Sequence, residues 1–476
     1  MNAGQTQQAK VAPRCGWARF TRLLTREFGI ADGAVILMAS FFLSALLGSV
    51  RQILFNAQFG TGMEANAYYA AFRLPDTLFS LIAGGALSSA MIPVLVSTAR
   101  EEGAAAAARL TNLVLTTLLA LFALIVLIGE VLAPVFVTHL LAPGFDAATG
   151  RLTISLTRIM LVQVLVLAAG SVAIAVLNSR SQFLLTALSF ASHNLTLIAG
   201  ILVARAYPAI GIYGPTFGVV AGAVLQVVIL MPGLRARDFR YRPVWDLADR
   251  HLRAVIRLLI PNGLSAGVSY AGFIVDTAFA SEAREAAGLP ALHNAWLLVG
   301  LPVALLGQAV GQAAFPRMAR YAAARDWPAM RRTLLWALAG VIVLALPALL
   351  ALLLLGRHTI HVLFEHGKFD DAAGTLTYAV LIAYALGLPA YVMTEVITRG
   401  LIALRDTRTP LVTNTLQLCG RAGLVMLLLD TTGVVAIPIA HATTSAVETL
   451  LLGIVLWWKL RRRAREPQVE GAALAV

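Results

Sequence analysis

Leu334-Leu-Trp-Ala-Leu-Ala-Gly-Val-Ile-Val-Leu-Ala-Leu-Pro-Ala-Leu-Leu-Ala-Leu-Leu-Leu-Leu-Gly356 contains no charged residue. An α-helix rises about 1.5 Å per residue, so about 20 apolar residues suffice to cross the roughly 30 Å hydrocarbon core of a bilayer. Working outward from this run, comparable blocks lie near 34–55, 67–98, 110–139, 152–177, 183–205 and 211–232. After a polar stretch they resume near 255–281, 291–316, 333–356, 374–399, 409–429 and 433–458. Hydrophobic residues make up 59% of the chain and charged residues 13%, with a mean hydropathy of +0.80. That balance excludes a soluble fold. The expected class is an all-α integral membrane protein with about twelve transmembrane helices.

The basic residues test this count, because Lys and Arg in short loops gather on the cytoplasmic side. With the N-terminus inside, 28 of the 37 Lys and Arg fall in cytoplasmic segments: five before Arg51, then Arg100, Arg109 and Arg180, seven from Arg235 to Arg257, five from Arg317 to Arg332, Arg399, Arg405 and Arg408, and five from Lys459 to Arg465. Both termini are therefore expected in the cytoplasm of a bacterial inner-membrane protein. Anionic membrane lipids account for the formal charge of +13 without a nucleic-acid partner. The first residues lack the apolar core and cleavage site of a secretory signal and are expected to be retained. Trp17, Phe20, Leu23, Leu24 and Phe28, interleaved with Arg19, Arg22 and Arg26, fit either an interfacial helix or a disordered basic tail. Cys15 and Cys419 support neither a disulfide framework nor a cysteine metal site.

Internal similarity divides the chain. Leu177-Asn-Ser-Arg-Ser-Gln-Phe183 is echoed by Leu404-Arg-Asp-Thr-Arg-Thr-Pro410, 227 positions later. Likewise Ala142-Pro-Gly-Phe-Asp146 pairs with His366-Gly-Lys-Phe-Asp370, and the small residues before Pro93 pair with those before Pro316. An even number of helices per half keeps the copies parallel, two six-helix repeats around a central cavity. The expected segments are a basic N-terminal segment at 1–33, bundles at 34–232 and 255–460, a basic linker at 233–254 and a tail at 461–476.

Several stretches resemble the lipid II flippases (MurJ/MviN) of the multidrug, oligosaccharidyl-lipid and polysaccharide exporter superfamily. They are Leu47-Gly-Ser-Val-Arg-Gln52, Phe59-Gly-Thr-Gly62, Asn66-Ala-Tyr-Tyr-Ala-Ala-Phe-Arg-Leu-Pro75, Gly84-Gly-Ala-Leu-Ser-Ser-Ala-Met-Ile-Pro93, Gly218-Val-Val-Ala-Gly-Ala-Val-Leu-Gln226, Leu363-Phe-Glu-His-Gly-Lys-Phe369 and Asp406-Thr-Arg-Thr-Pro410. The resemblance implies a flippase that moves a polyprenyl-pyrophosphate-linked disaccharide-pentapeptide to the periplasmic leaflet, with cell-wall synthesis proteins as further candidate partners. Where many relatives carry Arg, this chain has Ala45, Phe79 and Leu297; Gly84 replaces a Glu and Asn66 an Asp. Relatives often carry two further C-terminal helices, and a groove built from them is not expected here.

A charge inside the membrane costs about 2.5 to 3.5 kcal/mol on insertion scales, so it usually faces a cavity or a partner. Arg51, retained in the matching motif, is the first candidate for the pyrophosphate, because guanidinium binds phosphate bidentately; the alternative is that it snorkels to the surface. Arg73 is the second, next to Pro75, which is expected to break its helix; an Arg73–Asp76 pair is the alternative. Asn66 completes the substrate-binding set. Gly84, Gly85 and Ser88 form a small-residue face for packing or gating. Asp276 and Asn414 supply oxygens of the kind a coupling Na⁺ accepts, against the alternative of ion pairs with Arg421 or Arg399. His193, His361 and His441 are too scattered for a metal site. The sequence has no Walker loop, His-Glu-x-x-His helix or nucleophile elbow, which argues against an enzyme and leaves membrane potential, Na⁺ or H⁺ as the energy source. An exporter of another polyprenyl-linked saccharide or a drug, and a cell-wall scaffold, are the rival functions. A cation exporter calls for an acidic cavity, which Arg51 and Arg73 oppose.

Overall fold

The computed structural model describes residues 30–83, 86–235, 239–285 and 287–465. Most of the expected N-terminal segment, part of the tail, and Gly84 and Gly85 lie outside the described residues. Within them the chain is helical, without strands. The first half contains α1 (Ile30–Phe59), α2 (Met63–Ala83), α3 (Ala86–Glu101), α4 (Ala104–Phe136, extended by a π-helical turn to Leu141), α5 (Ala147–Ser179), α6 (Phe183–Ala206) and α7 (Tyr213–Arg235). The second contains α8 (Arg250–Glu282), α9 (Gly288–Pro302), α10 (Ala309–Ala323), α11 (Trp327–Phe364), α12 (Asp371–Leu386), α13 (Leu388–Ala403), α14 (Arg408–Thr432) and α15 (Ala436–Arg465).

Among the described residues, each apolar block falls mainly on helix. Among the described residues, eight helical stretches are long and apolar enough to cross a membrane, or nine with the 43° bent pair α12 and α13. One of the eight, Arg408–Arg465, contains both α14 and α15. Length and composition of the described residues thus account for part of the twelve crossings expected; Arg73 and Asp76 lower the hydropathy of α2. Pro75 does not break its helix: α2 runs through it to Ala83. The missing N–H frees only one carbonyl, and neighbouring helices can hold a span in place around it.

Helix starts are set by aspartates. Asp146, Asp249, Asp326 and Asp370 each accept backbone N–H bonds at the first turn of α5, α8, α11 and α12. The repeated Phe-Asp of the two halves is therefore one cap used twice. Ala86 and Ala309, Ala104 and Trp327, Ala147 and Asp371, Phe183 and Arg408, and Tyr213 and Ala436 begin corresponding helices 223, 223, 224, 225 and 223 residues apart. The tight turn after α5 reappears after α13 with the same backbone bonds, Gln182 N to Leu177 O and Asp406 N to Leu401 O. Leu177 thus corresponds to Leu401 rather than Leu404, and the structural register is 224 rather than 227.

Large apolar side chains point outward as well as inward. On α11, Val343, Leu344, Leu346, Leu350 and Leu354 are exposed, as bilayer-facing residues must be. One buried core joins α3–α7 to the start of α8, another joins α10, α11, α13 and α15, and a third lies between the halves. This third core includes Phe55, Phe59, Ile212, Phe364, Phe369 and Val434, beside the connections at one end of the bundle. There the backbones of the two halves touch, with Lys368 N donating to Ala57 O at 2.9 Å. Gly60 (φ 60°) and Gly367 (φ 63°) permit this approach. A Cβ on Gly60 would collide with the Lys368 carbonyl, and one on Gly367 with that of Ala57.

Candidate functional site

Four voids run in sequence from the first half to the second, each sharing wall residues with the next. The first, about 410 Å³, lies among α1, α2, α5, α6 and α7 and is lined by Arg51, Asp76, Gln163, His193, Asn194 and Gln226. Arg51 and Phe72 separate it from a smaller void that also contains Arg73, Tyr69 and His293. Arg73 and His293 border a third, beside Asp276 and Thr277. Phe273 and Trp296 border the fourth, about 380 Å³, lined by Glu395, Asn414, Gln417, Arg421, His441 and Glu448. Arg51 and Arg73 therefore stand on the walls of one cavity system between the halves.

Local packing fixes both arginines. Arg51 Nη1 donates to Asn194 Oδ1 at 3.1 Å, and Asn194 Nδ2 donates back to Ser44 O and Oγ on α1. Arg51 thus turns inward against α6 instead of snorkelling. Arg73 Nε donates to Thr277 Oγ1 at 3.2 Å, and its guanidinium lies 5.3 Å from the centre of the Phe273 ring. The bond seen is to α8 rather than to Asp76, which instead faces the first void. Each guanidinium keeps unused N–H donors, since Arg carries five.

Asn66 has a different surrounding. Its Nδ2 donates to the carbonyls of Thr61 and Gly62, which ties the turn ahead of α2. Pro75 lines the first void, and Ser88 is half-buried in α3. Asp276 and Asn414 line different voids and do not form one oxygen cage. The buried Asp276 Oδ2 pairs with Arg421 Nη1 at 3.4 Å, the ion pair that is the alternative to a cation site. Asp276 Oδ1 and Arg421 Nε lack hydrogen-bond partners. Gly272 makes room for the pair, because a Cβ there would collide with Arg421. Among the described residues no three His, Cys, Asp or Glu are grouped as a metal would require.

A cluster that the sequence reading did not single out lies between Arg51 and the closed end. The two N–H groups of Gln52 Nε2 are shared among Tyr69 OH at 2.6 Å, Asn294 Oδ1 at 2.8 Å and Asn56 Oδ1 at 3.0 Å, and Asn56 Nδ2 donates to Asn294 Oδ1 at 3.1 Å. All three amides are buried, and Asn294 Nδ2 has no partner. The cluster joins α1 and α2 to α9, and so one half to the other. The available signal was several amides within apolar helices, but neutral side chains carry no sign to sort by.

The sequence model of the family described as lipid II flippase MurJ matches residues 55–475. A probable lipid II flippase MurJ of Rhizobium tropici is 28% identical over 444 residues, covering 90% of this chain and 83% of the relative. The lipid II flippase MurJ of Burkholderia cenocepacia is 28% identical over 384 residues, covering 79% and 74%. A solved structure of a lipid II flippase MurJ in an inward closed conformation superposes with a TM-score of 0.75 at 23% identity, covering 90% of each chain. An inward-facing multidrug resistance MATE family transporter superposes with a TM-score of 0.76 at 12% identity, covering 89% of this chain and 96% of the other. The structural matches bear on the fold.

Proposed function

Because the chain belongs to the lipid II flippase MurJ family, we propose that it carries lipid II from the cytoplasmic to the periplasmic leaflet of the bacterial inner membrane by alternating access. It is a multi-pass membrane transporter and not an enzyme. The observation that supports this reading best is the pair Arg51 and Arg73 on one cavity system between the halves. A pyrophosphate entering there meets two guanidinium groups with donors to spare, and charge-assisted bonds of this kind are stronger than neutral ones.

The ends are assigned by charge. Arg109, Arg250, Arg332 and Lys459 lie at the end opposite the Ala57–Lys368 contact, and the bias of basic loops makes that end cytoplasmic. The contact between the halves then closes the periplasmic side, which suits the step in which substrate is received. Transport is driven by the membrane potential, worth about 2.3 kcal/mol per charge per 100 mV. Arg421 on Asp276 favours this source over Na⁺ held at Asp276 and Asn414.

The test is to express the chain in a bacterium depleted of its own lipid II flippase and to follow viability and externally exposed lipid II. Rescue by wild type, lost in Arg51→Ala at equal membrane level, supports the proposal. Failure of a well-expressed wild type overturns it and points to another polyprenyl-linked glycan.

A further inference from the structure

The structural register of the repeats compares two equivalent grooves that are filled differently. In the first half the α3–α4 groove is covered by the segment between α7 and α8. Asn112 Oδ1 accepts from Arg242 N and its Nδ2 donates to Arg240 O, while Thr116 Oγ1 accepts from Val244 N. Arg109 there reaches Asp246 at 3.4 Å. A shift of 223 residues places α3 on α10, α4 on α11 and Arg109 on Arg332.

The α10–α11 groove has no such cover among the described residues. It is a cleft of about 940 Å³ lined by Arg317, Tyr321, Arg332, Thr333 and Trp336. Arg317 and Arg332 are exposed and make no ion pair or hydrogen bond there. The carboxylate at its mouth, Asp326, is engaged as the helix cap, accepting from Ala329 N at 3.0 Å. Asn112 and Thr116, which hold the cover in the first half, are replaced at the equivalent positions by Leu335 and Ala339.

Trp336 is 72% exposed, and apolar side chains of α11 continue from it along the bilayer-facing surface. Arg331 stacks 4.1 Å from the Trp457 ring and Arg463 5.7 Å from Trp327, an aromatic and cationic belt of the kind that marks the headgroup level. We propose that the α10–α11 groove binds the phosphate headgroup of an anionic phospholipid through Arg317 and Arg332, with Trp336 against its glycerol and upper acyl chain, in the place that Asp246 and the connecting segment take in the first half. The groove is open to the membrane, and its unmatched charge calls for an anion delivered from the lipid phase.

The test is native mass spectrometry of the full chain in detergent, titrated with cardiolipin and, as the zwitterionic reference, phosphatidylcholine. Wild type is expected to retain cardiolipin at least about tenfold more tightly than phosphatidylcholine. Arg317→Gln with Arg332→Gln should lose about tenfold or more of that affinity. Arg408→Gln with Arg465→Gln, which removes as much charge from the same end, should stay within about twofold. Arg317→Lys with Arg332→Lys should keep most of the binding, which guards against misfolding of the Gln variant. Equal loss in the two Gln pairs, or no loss in the groove pair, overturns the proposal. It is equally overturned if deleting residues 466–476 raises cardiolipin binding, because the acidic tail of the chain would then be the occupant.

Discussion

Replacing Asn294 by Ala should open the end of the bundle that the amide cluster holds shut. The side chain accepts two hydrogen bonds from the other half, from Gln52 at 2.8 Å and Asn56 at 3.1 Å. A neutral hydrogen bond contributes about 0.5 to 1.5 kcal/mol net, so two bonds favour the closed state by about 1 to 3 kcal/mol. Their loss shifts the closed-to-open ratio about 5- to 150-fold towards open. The unpartnered Asn294 Nδ2 already costs the closed state something, which keeps the latch weak enough to reverse. Spin labels at Met63→Cys and Ala372→Cys, exposed positions on the two halves near this end, would report the change by pulsed electron resonance in a chain with Cys15 and Cys419 replaced by Ser. The wild type should give a short, narrow distance and Asn294→Ala a longer, broader one. Gln52→Ala should give the same result, and the double variant should add little to either. An unchanged distribution in Asn294→Ala, with an unchanged Tm, would show that the amides only fill space.

Other outcomes follow from the same geometry. Arg51→Lys should support less lipid II export than wild type and more than Arg51→Ala, because an ammonium keeps the charge without the bidentate fork; in vivo rescue at matched membrane level checks this. Gly367→Ala should weaken closure, since a Cβ at φ 63° carries about 1 to 2 kcal/mol of strain and meets the Ala57 carbonyl; the same spin-label pair reads it. Asp276→Ala should destabilise the protein by about 3 kcal/mol or more by leaving Arg421 buried without its partner, whereas Asp276→Leu with Arg421→Leu should recover most of the loss, as thermal unfolding in detergent would show. At the end carrying Asp406, partial burial pushes this carboxyl up, but the Lys459 ammonium and the Thr409 donors outweigh it and hold the carboxyl below its usual range. Its contribution to stability is present above the unfolded value near pH 4 and is lost as pH falls through the lowered folded value. Lys459→Met should therefore lower Tm at pH 7 and flatten its fall below the unfolded value near pH 4.

The two candidate arginines were legible in the sequence because a charge in a membrane helix is expensive enough to need a reason. The Asp276–Arg421 pair was legible only as one alternative, since the sequence gives ligand types but no distances. Gln52, Asn56 and Asn294 went unread, because an amide hardly disturbs hydropathy and its partner here is 242 positions away. Pro75 was misread for a related reason: the local cost of proline is fixed, but the neighbours that let α2 continue are not local.

The sequence by itself determined the solvent, the helices and the repeat, since hydropathy, charge sorting and Asp caps act within a few residues of where they are written. Tertiary structure decided which polar groups meet. It set Arg51 on Asn194, Arg421 on Asp276 and the amides across the halves, and it left Arg332 bare where its counterpart Arg109 has Asp246. Hydrogen bonds and ion pairs act over about 3 to 4 Å, and only the folded chain brings groups more than a hundred positions apart within that distance.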